Sequence, residues 1–144
     1  MDIIKNRDIE NALTDSKRVY LCGNLHAPNK VNHIRTPAYE IGISDYKVYT
    51  CDAPHIHTFN MEYNYVLEGE MKILLFETQQ EFHLKKGDLF VIHPNEPYAG
   101  KSKAGTRTLF SKVPGGNDKE FIPVTDTFKK WSKEWNASVE GEER

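Results

Sequence analysis

Two histidines and a glutamate in the stretch Pro54-His55-Ile56-His57-Thr58-Phe59-Asn60-Met61-Glu62 are the side chains of this sequence best suited to chemistry. On a β-strand His55 and His57, at i and i+2, project from the same face, so one ion or one substrate atom can touch both imidazoles. Glu62 follows His57 at an offset of five, which would put it on the opposite face of a straight strand. A bend is therefore required, and Asn60 with the polar residues around it permits the change of direction that turns the carboxylate back toward the imidazoles. Two imidazoles and one carboxylate suit Fe, Mn, Ni or Zn as divalent ions and leave coordination positions open for substrate. His-x-His without the glutamate would read more simply as a pair of hydrogen-bonded or surface residues.

A second group of candidates lies toward the end of the β-rich region. Arg107, Lys112 and Lys119 bracket the glycine turn Gly115-Gly116, and backbone amides in such a turn, with Lys112 or Lys119 beside them, suit a phosphate or carboxylate. An ordinary solvated loop is the simpler alternative, and Arg35 is ambiguous in the same way as Arg107. Tyr49, Tyr63 and Tyr65 suit the wall of a sugar-sized pocket, although aromatics are enriched in strands for packing reasons alone.

The elements that must position these residues are short strands. Between Arg18 and Lys112 the chain breaks into β-favouring runs separated by Gly, Pro, Asn and Asp, and seven or eight strands are expected. The clearest run over Arg18–Cys22, Tyr46–Asp52, Glu62–Leu67, Met71–Glu77, Glu81–Leu84, Leu89–His93 and Thr106–Lys112. Glu68-Gly69 predicts a tight hairpin, Lys86-Gly87-Asp88 a second reversal and Pro94-Asn95-Glu96-Pro97 a third. Phe128, Trp131 and Trp135 sit at i, i+3 and i+7 behind Asp126 as a candidate N-cap, which predicts one amphipathic helix over about 126–137. Asn6 to Leu13 predicts another short helix with Ile9 and Leu13 inward, and Ala137 to Arg144 an acidic tail.

Composition bounds the rest. With 144 residues the chain has room for one domain, 1–144, whose barrel core spans about 18–113. Its 38% apolar and 28% charged residues describe a hydrated globular protein and exclude a fibre or a disordered chain. Lys plus Arg number 19 against 21 Asp plus Glu, so no global field favours nucleic acid or an anionic membrane. The apolar runs are far shorter than the roughly 20 residues of a membrane-spanning helix. Met1 to Arg7 lacks a secretory stretch and the two cysteines make no disulfide scaffold, so a cytoplasmic location is expected.

With these motifs in view, the sequence resembles the cupin superfamily. The first cupin motif runs His-x-His, three or four residues, Glu, six residues, Gly, and His55, His57, Glu62 and Gly69 fit it. The second opens with Gly-Asp, passes through an apolar strand into a Pro-rich turn and ends on a ligand histidine; Gly87 to Tyr98 follows that course. There are two departures. Tyr49 stands where the first motif begins with glycine, and Tyr98 stands where the fourth ligand histidine is expected.

The resemblance covers approximately Asp45 to Lys112 and implies an all-β, cupin-like barrel (double-stranded β-helix, or jelly roll), here followed by a C-terminal helix. It implies a divalent metal ion on His55, His57 and Glu62. Three roles are open to Tyr98: a phenolate ligand, a hydrogen-bond donor to a metal-bound water or substrate oxygen, or part of a pocket that has lost its metal. His93 is an alternative ligand or proton carrier. The function expected is isomerisation or epimerisation of a sugar or sugar phosphate, with Tyr98 or His93 moving the proton and Tyr49, Arg107 and Lys112 binding substrate. An Fe(II)-dependent dioxygenase and a non-catalytic small-ligand-binding cupin are the alternatives. A homodimer formed through sheet edges and a small-molecule ligand are the expected partners, without nucleic acid or membrane.

Overall fold

The structure is a computed structural model that describes residues 1–26 and 28–139. Helix α1 (Asn6–Leu13) leads into strands β1 (Arg18–Gly23), β2 (Ile34–Arg35), β3 (Glu40–Tyr46), β4 (Thr50–Cys51), β5 (His55–His57) and β6 (Met61–Glu68). Then follow β7 (Glu70–Leu75), β8 (Gln80–Lys85), β9 (Leu89–Ile92), β10 (Tyr98–Ser102), β11 (Thr106–Val113), β12 (Lys119–Phe121) and helix α2 (Asp126–Ser132). One sheet has the order β2-β1-β3-β11-β6-β9 and the other β12-β5-β10-β7-β8, with β4 paired to β10. From β8 to β12 consecutive strands alternate between two facing sheets, and the chain also changes sheet after β3, β5 and β6, as in a jelly roll. The sheets are stacked and do not join into one closed hydrogen-bonded cylinder.

Side-chain alternation decides what faces the space between the sheets. On β3 the buried positions are Glu40, Gly42, Ser44 and Tyr46, and on β11 Thr106, Thr108, Phe110 and Lys112. This inner face is rich in polar groups, which is unusual for a core and usual for a ligand chamber. The apolar packing lies mostly outside it. Ala12 and Leu13 of α1 bury Val19 and Val31 on one outer face, while Phe128 and Trp131 of α2 cover Leu74 and Ala99 on the other. Ile73, Ile92 and Tyr98 close the space between the sheets.

The expected hairpin at Gly69 is corrected: the turn forms, with φ 81°, but β6 and β7 enter different sheets and do not pair, while a Cβ there would stand 2.4 Å from Thr106 Oγ1, so the turn demands glycine on two counts. Other expectations are corrected. The run Tyr46–Asp52 is not one strand: it holds the end of β3, a turn and the two-residue β4. Strand β3 itself went unrecognised because polar residues occupy its inward positions and Gly42 interrupts it, although Gly42 is required by Phe110, 2.4 Å from where its Cβ would lie. Strand β10 was hidden for a different reason, since all five residues are buried and include Lys101, so no alternation appears.

Helix α2 ends at Ser132, short of the predicted 137, and its N-cap is Thr125, whose hydroxyl accepts from the Phe128 amide at 3.1 Å, not Asp126. The chain turns after Ser132 because Lys101 Nζ, fully buried, donates to the carbonyls of Trp131, Glu134 and Ala137 at 2.8, 3.0 and 2.9 Å. Trp135 therefore leaves the helical stripe and lies 4.5 Å from Lys72 Nζ. Beyond residue 139 the expected acidic tail lies outside the described residues. Among them no helix is long and apolar enough to cross a membrane.

Candidate functional site

His55 and His57 both point inward from β5 and are almost fully buried. Glu62 begins the facing sheet, and its strand β6 pairs Glu62 with Lys112 of β11. The odd offset is resolved by geometry: Thr58, Phe59 and Asn60 carry the chain from one sheet to the other, so the carboxylate meets the imidazoles across the gap. Glu62 Oε2 lies 3.1 Å from His57 Nε2.

Tyr98 stands in the middle. It pairs with His55 across β10 and β5, and its phenol oxygen lies 3.0 Å from His55 Nε2, 3.2 Å from His57 Nε2 and 2.8 Å from Glu62 Oε2. The hydroxyl donates to Glu62. His55 Nδ1 donates to the Ala53 carbonyl at 2.7 Å, and a carbonyl only accepts, so the tautomer is fixed with the Nε2 lone pair turned inward. His57 Nδ1 donates to Asp118 at 2.8 Å, which turns its Nε2 inward as well. One hydroxyl hydrogen thus faces three acceptors.

Electrostatics follow from this shortage of protons. Burial pushes His55 below the ordinary histidine range, so its lone pair stays free. Burial also opposes charge on His57, but Glu62 and Asp118 on either side outweigh it and raise its pKa. Burial would raise Glu62; His57, Tyr98 and Lys112 together hold it at about 2. Tyr98 is raised well above 10 by burial and then by the Glu62 charge, so it is a neutral phenol.

Asp118 is the residue that sequence reading missed. Its side chain is fully buried, Oδ1 accepts from His57, and Oδ2 accepts from the amides of Phe59 and Asn60 at 2.9 and 2.7 Å. It therefore holds the histidine and the chain crossover at once. Nothing in the loop Pro114-Gly115-Gly116-Asn117-Asp118 is periodic, and no local pattern distinguishes this aspartate from a turn residue.

Among the described residues no three His, Cys, Asp or Glu side chains by themselves surround a point suited to a metal. The phenol oxygen of Tyr98 occupies the space between His55 and Glu62. The donor chemistry nevertheless fits a divalent cation: two inward lone pairs, each with its other ring nitrogen anchored, and a carboxylate, all short of hydrogens.

The remaining sequence candidates go elsewhere. Tyr49 donates to the Ser132 carbonyl at 2.7 Å, beside α2. Arg107 points outward from β11 and grips Glu10 of α1 through both terminal nitrogens, at 2.6 and 3.2 Å. His93 is exposed at the rim beside Phe82 and Leu84. The Gly116 amide donates to Glu40, which takes the place an external anion would have there. Lys112 alone of the three substrate-binding candidates lines the chamber of the cluster, together with Arg18, Asp52 and Lys119.

The family model for the cupin domain matches residues 46–109. This chain carries a small cupin domain. The cupin's solved structural neighbours include KdgF from a Halomonas species, with 19% identity, TM-score 0.52, and 58% of this chain and 74% of that one covered. A nucleoside dehydratase from Streptomyces has 13% identity, TM-score 0.53, and coverage of 60% and 70%. The polyketide cyclase RemF from Streptomyces resistomycificus has 18% identity, TM-score 0.54, and coverage of 63% and 65%. At these identities the likeness establishes the fold of the cupin and not its chemistry. No curated protein matches the chain in sequence.

Proposed function

We propose that this cupin is an enzyme that moves a proton on a small oxygen-rich metabolite, isomerising or epimerising a sugar or sugar phosphate. The observation that carries this reading is the single phenolic hydrogen of Tyr98, held among His55, His57 and Glu62. Its raised pKa keeps that hydrogen on Oη until an acceptor develops negative charge. A substrate oxygen that replaces Glu62 as the acceptor is such a group. Asp118 and the Ala53 carbonyl keep both imidazoles oriented, so no reorganisation accompanies the transfer. His55, His57 and Glu62 would hold a divalent ion, which would supply Lewis-acid polarisation of the same substrate oxygen.

A second reading needs no ion and has one observation in its favour. The Tyr98 oxygen lies within hydrogen-bond distance of all three donor atoms, and His57 stands between two carboxylates that favour its protonation. Protonated His57 is then the acid through Nε2, next to the Tyr98 hydroxyl.

The dehydratase and cyclase among the structural neighbours act on small molecules by their names, which is the class proposed for this chain. The test is a panel of aldoses, ketoses, sugar acids and sugar phosphates in D2O, followed by proton NMR, with metal content measured in parallel. Deuterium incorporated at carbon by the wild type and lost in Tyr98→Phe supports proton transfer. Saturable binding without exchange assigns the chain to the ligand-binding class, and consumption of dioxygen assigns it to the dioxygenases.

A further inference from the structure

The cluster lies in a small inner chamber of about 40 Å³, room for one or two waters or a single functional group of a ligand. Beside it is an outer pocket of about 710 Å³, walled by Tyr20, Leu25, Pro37 and Phe121 among others, large enough for a whole metabolite. Three residues line both spaces: Arg18, Lys112 and Lys119. All three are cations, and they form the wall shared by the two spaces.

We propose that Arg18, Lys112 and Lys119 form an anion-binding subsite, so that the ligand of the inner cluster carries a carboxylate or phosphate group. Cations outnumber the acids free to pair with them, since Asp52 acts on Arg18 and Lys119, and Glu62 on Lys112 and Lys119, without a direct ion pair. Among the described residues none of the three cations has a carboxylate within 4.0 Å. The nearby carboxylates are engaged otherwise: Glu62 by Tyr98 and His57, and Glu40 by the Gly116 amide. Asp52 is the remaining acid on the inner wall. Arg18 directs Nε to Ser44 Oγ at 3.0 Å and stacks over Phe110 at 5.2 Å, with the hydroxyls of Tyr20 and Tyr46 beside it, so its guanidinium is braced by neutral partners at the wall of the chamber. Lys112 is buried, and its neighbouring carboxylate Glu62 is already bonded by Tyr98 and close to His57, so a ligand anion would be its direct ion-pair partner.

Register sets the distance from the reacting group. Lys112 is paired directly with Glu62, and Lys119 with His57. Directly paired residues place their side chains about 5 Å apart at the base, so the anion sits only a few bonds from the oxygen that meets Tyr98. A small hydroxy acid, sugar acid or short sugar phosphate meets that spacing, and a long lipid or peptide does not.

The proposal rests on the preceding reading only for what the ligand does at its other end, and its test needs no turnover. Inorganic phosphate and acetate are titrated calorimetrically at low ionic strength into the wild type, Arg18→Gln, Arg18→Lys, Lys112→Gln and Tyr98→Phe, each checked for a cooperative thermal transition. Saturable binding by the wild type, weakened at least about tenfold in Lys112→Gln and Arg18→Gln but within about twofold in Tyr98→Phe, is the expected result. Should Arg18→Gln fail to fold, Arg18→Lys and Lys112→Gln carry the comparison. The ratio of phosphate to acetate affinity identifies which anion the subsite prefers. No saturable binding of either ion, equal affinity in the lysine variant, or loss confined to Tyr98→Phe overturns the proposal. Absence of deuterium exchange in the metabolite panel leaves this test untouched.

Discussion

Tyr98 Oη and Glu62 Oε2 lie 2.8 Å apart although they stand on strands of opposite sheets. This contact spans the interior of the jelly roll and brings the phenol to the point on which both imidazoles converge. The behaviour expected of the site follows from it.

Replacing the phenol by the imidazole that the family resemblance places there, Tyr98→His, adds a fourth ligand, the third nitrogen donor, and removes the phenolic hydrogen at the centre. The dissociation constant for Ni(II) or Zn(II), measured calorimetrically, is expected to fall by about tenfold or more. An unchanged constant would mean that His55, His57 and Glu62 do not share an ion.

Asp118→Asn keeps the size of the side chain but removes the charge that orients His57 and accepts two backbone amides. Loss of such a partner behind a histidine lowers metal affinity about 10- to 100-fold. Because the side chain is buried, stability is expected to drop by about 1–3 kcal/mol, read from urea unfolding. A change in stability with no change in affinity would reduce Asp118 to a loop anchor.

The pH dependence of stability in chelator-treated protein carries a definite sign. His57 is raised above 6.5 by Glu62 and Asp118 against the effect of burial, so its contribution is complete below pH 6.5 and is lost as pH rises through the folded value. Glu62, held at about 2 against 4.5, contributes above pH 4.5 and loses that contribution as pH falls toward 2. The stability difference between wild type and His57→Gln should therefore narrow on going from pH 6 to pH 8.5. A difference that widens over that range would be inconsistent with the charge arrangement.

Arg107→Ala tests the separation of structural from ligand-binding cations. The guanidinium is partly exposed and pairs with Glu10 and Asp45, so its removal should cost about 1 kcal/mol or less and loosen α1. Phosphate binding should be unaffected, because the side chain faces away from the chamber. Weakened phosphate binding with an intact thermal transition would return Arg107 to the site.

Strand period explains why Arg107 and Lys112 were grouped together in the sequence and are parted in space. They lie five residues apart on β11, an odd number, so one faces α1 and the other the chamber. The grouping by charge was visible; the face was not, because no apolar alternation marks the inner side of a polar chamber. Asp118 was invisible for a related reason, since a buried aspartate in a glycine-containing loop has the same local pattern as an exposed one.

By itself the sequence determined the succession of short strands and the turns between them, and the inward pairing of His55 with His57, because strand period and turn chemistry are local properties; which strands pair was not local, and the turns at Gly69, Gly87 and Pro94 to Pro97 each carry the chain to the other sheet. It also carried the cupin motifs that place Glu62 and Tyr98 near those histidines. Only the tertiary structure decided that Tyr98 lies at the centre of the cluster, that Asp118 stands behind His57, and that Arg18 joins Lys112 and Lys119 on one wall. Those relationships join residues up to about a hundred positions apart and depend on which sheet each strand enters, a choice made by packing of the whole chain rather than by any neighbouring residue.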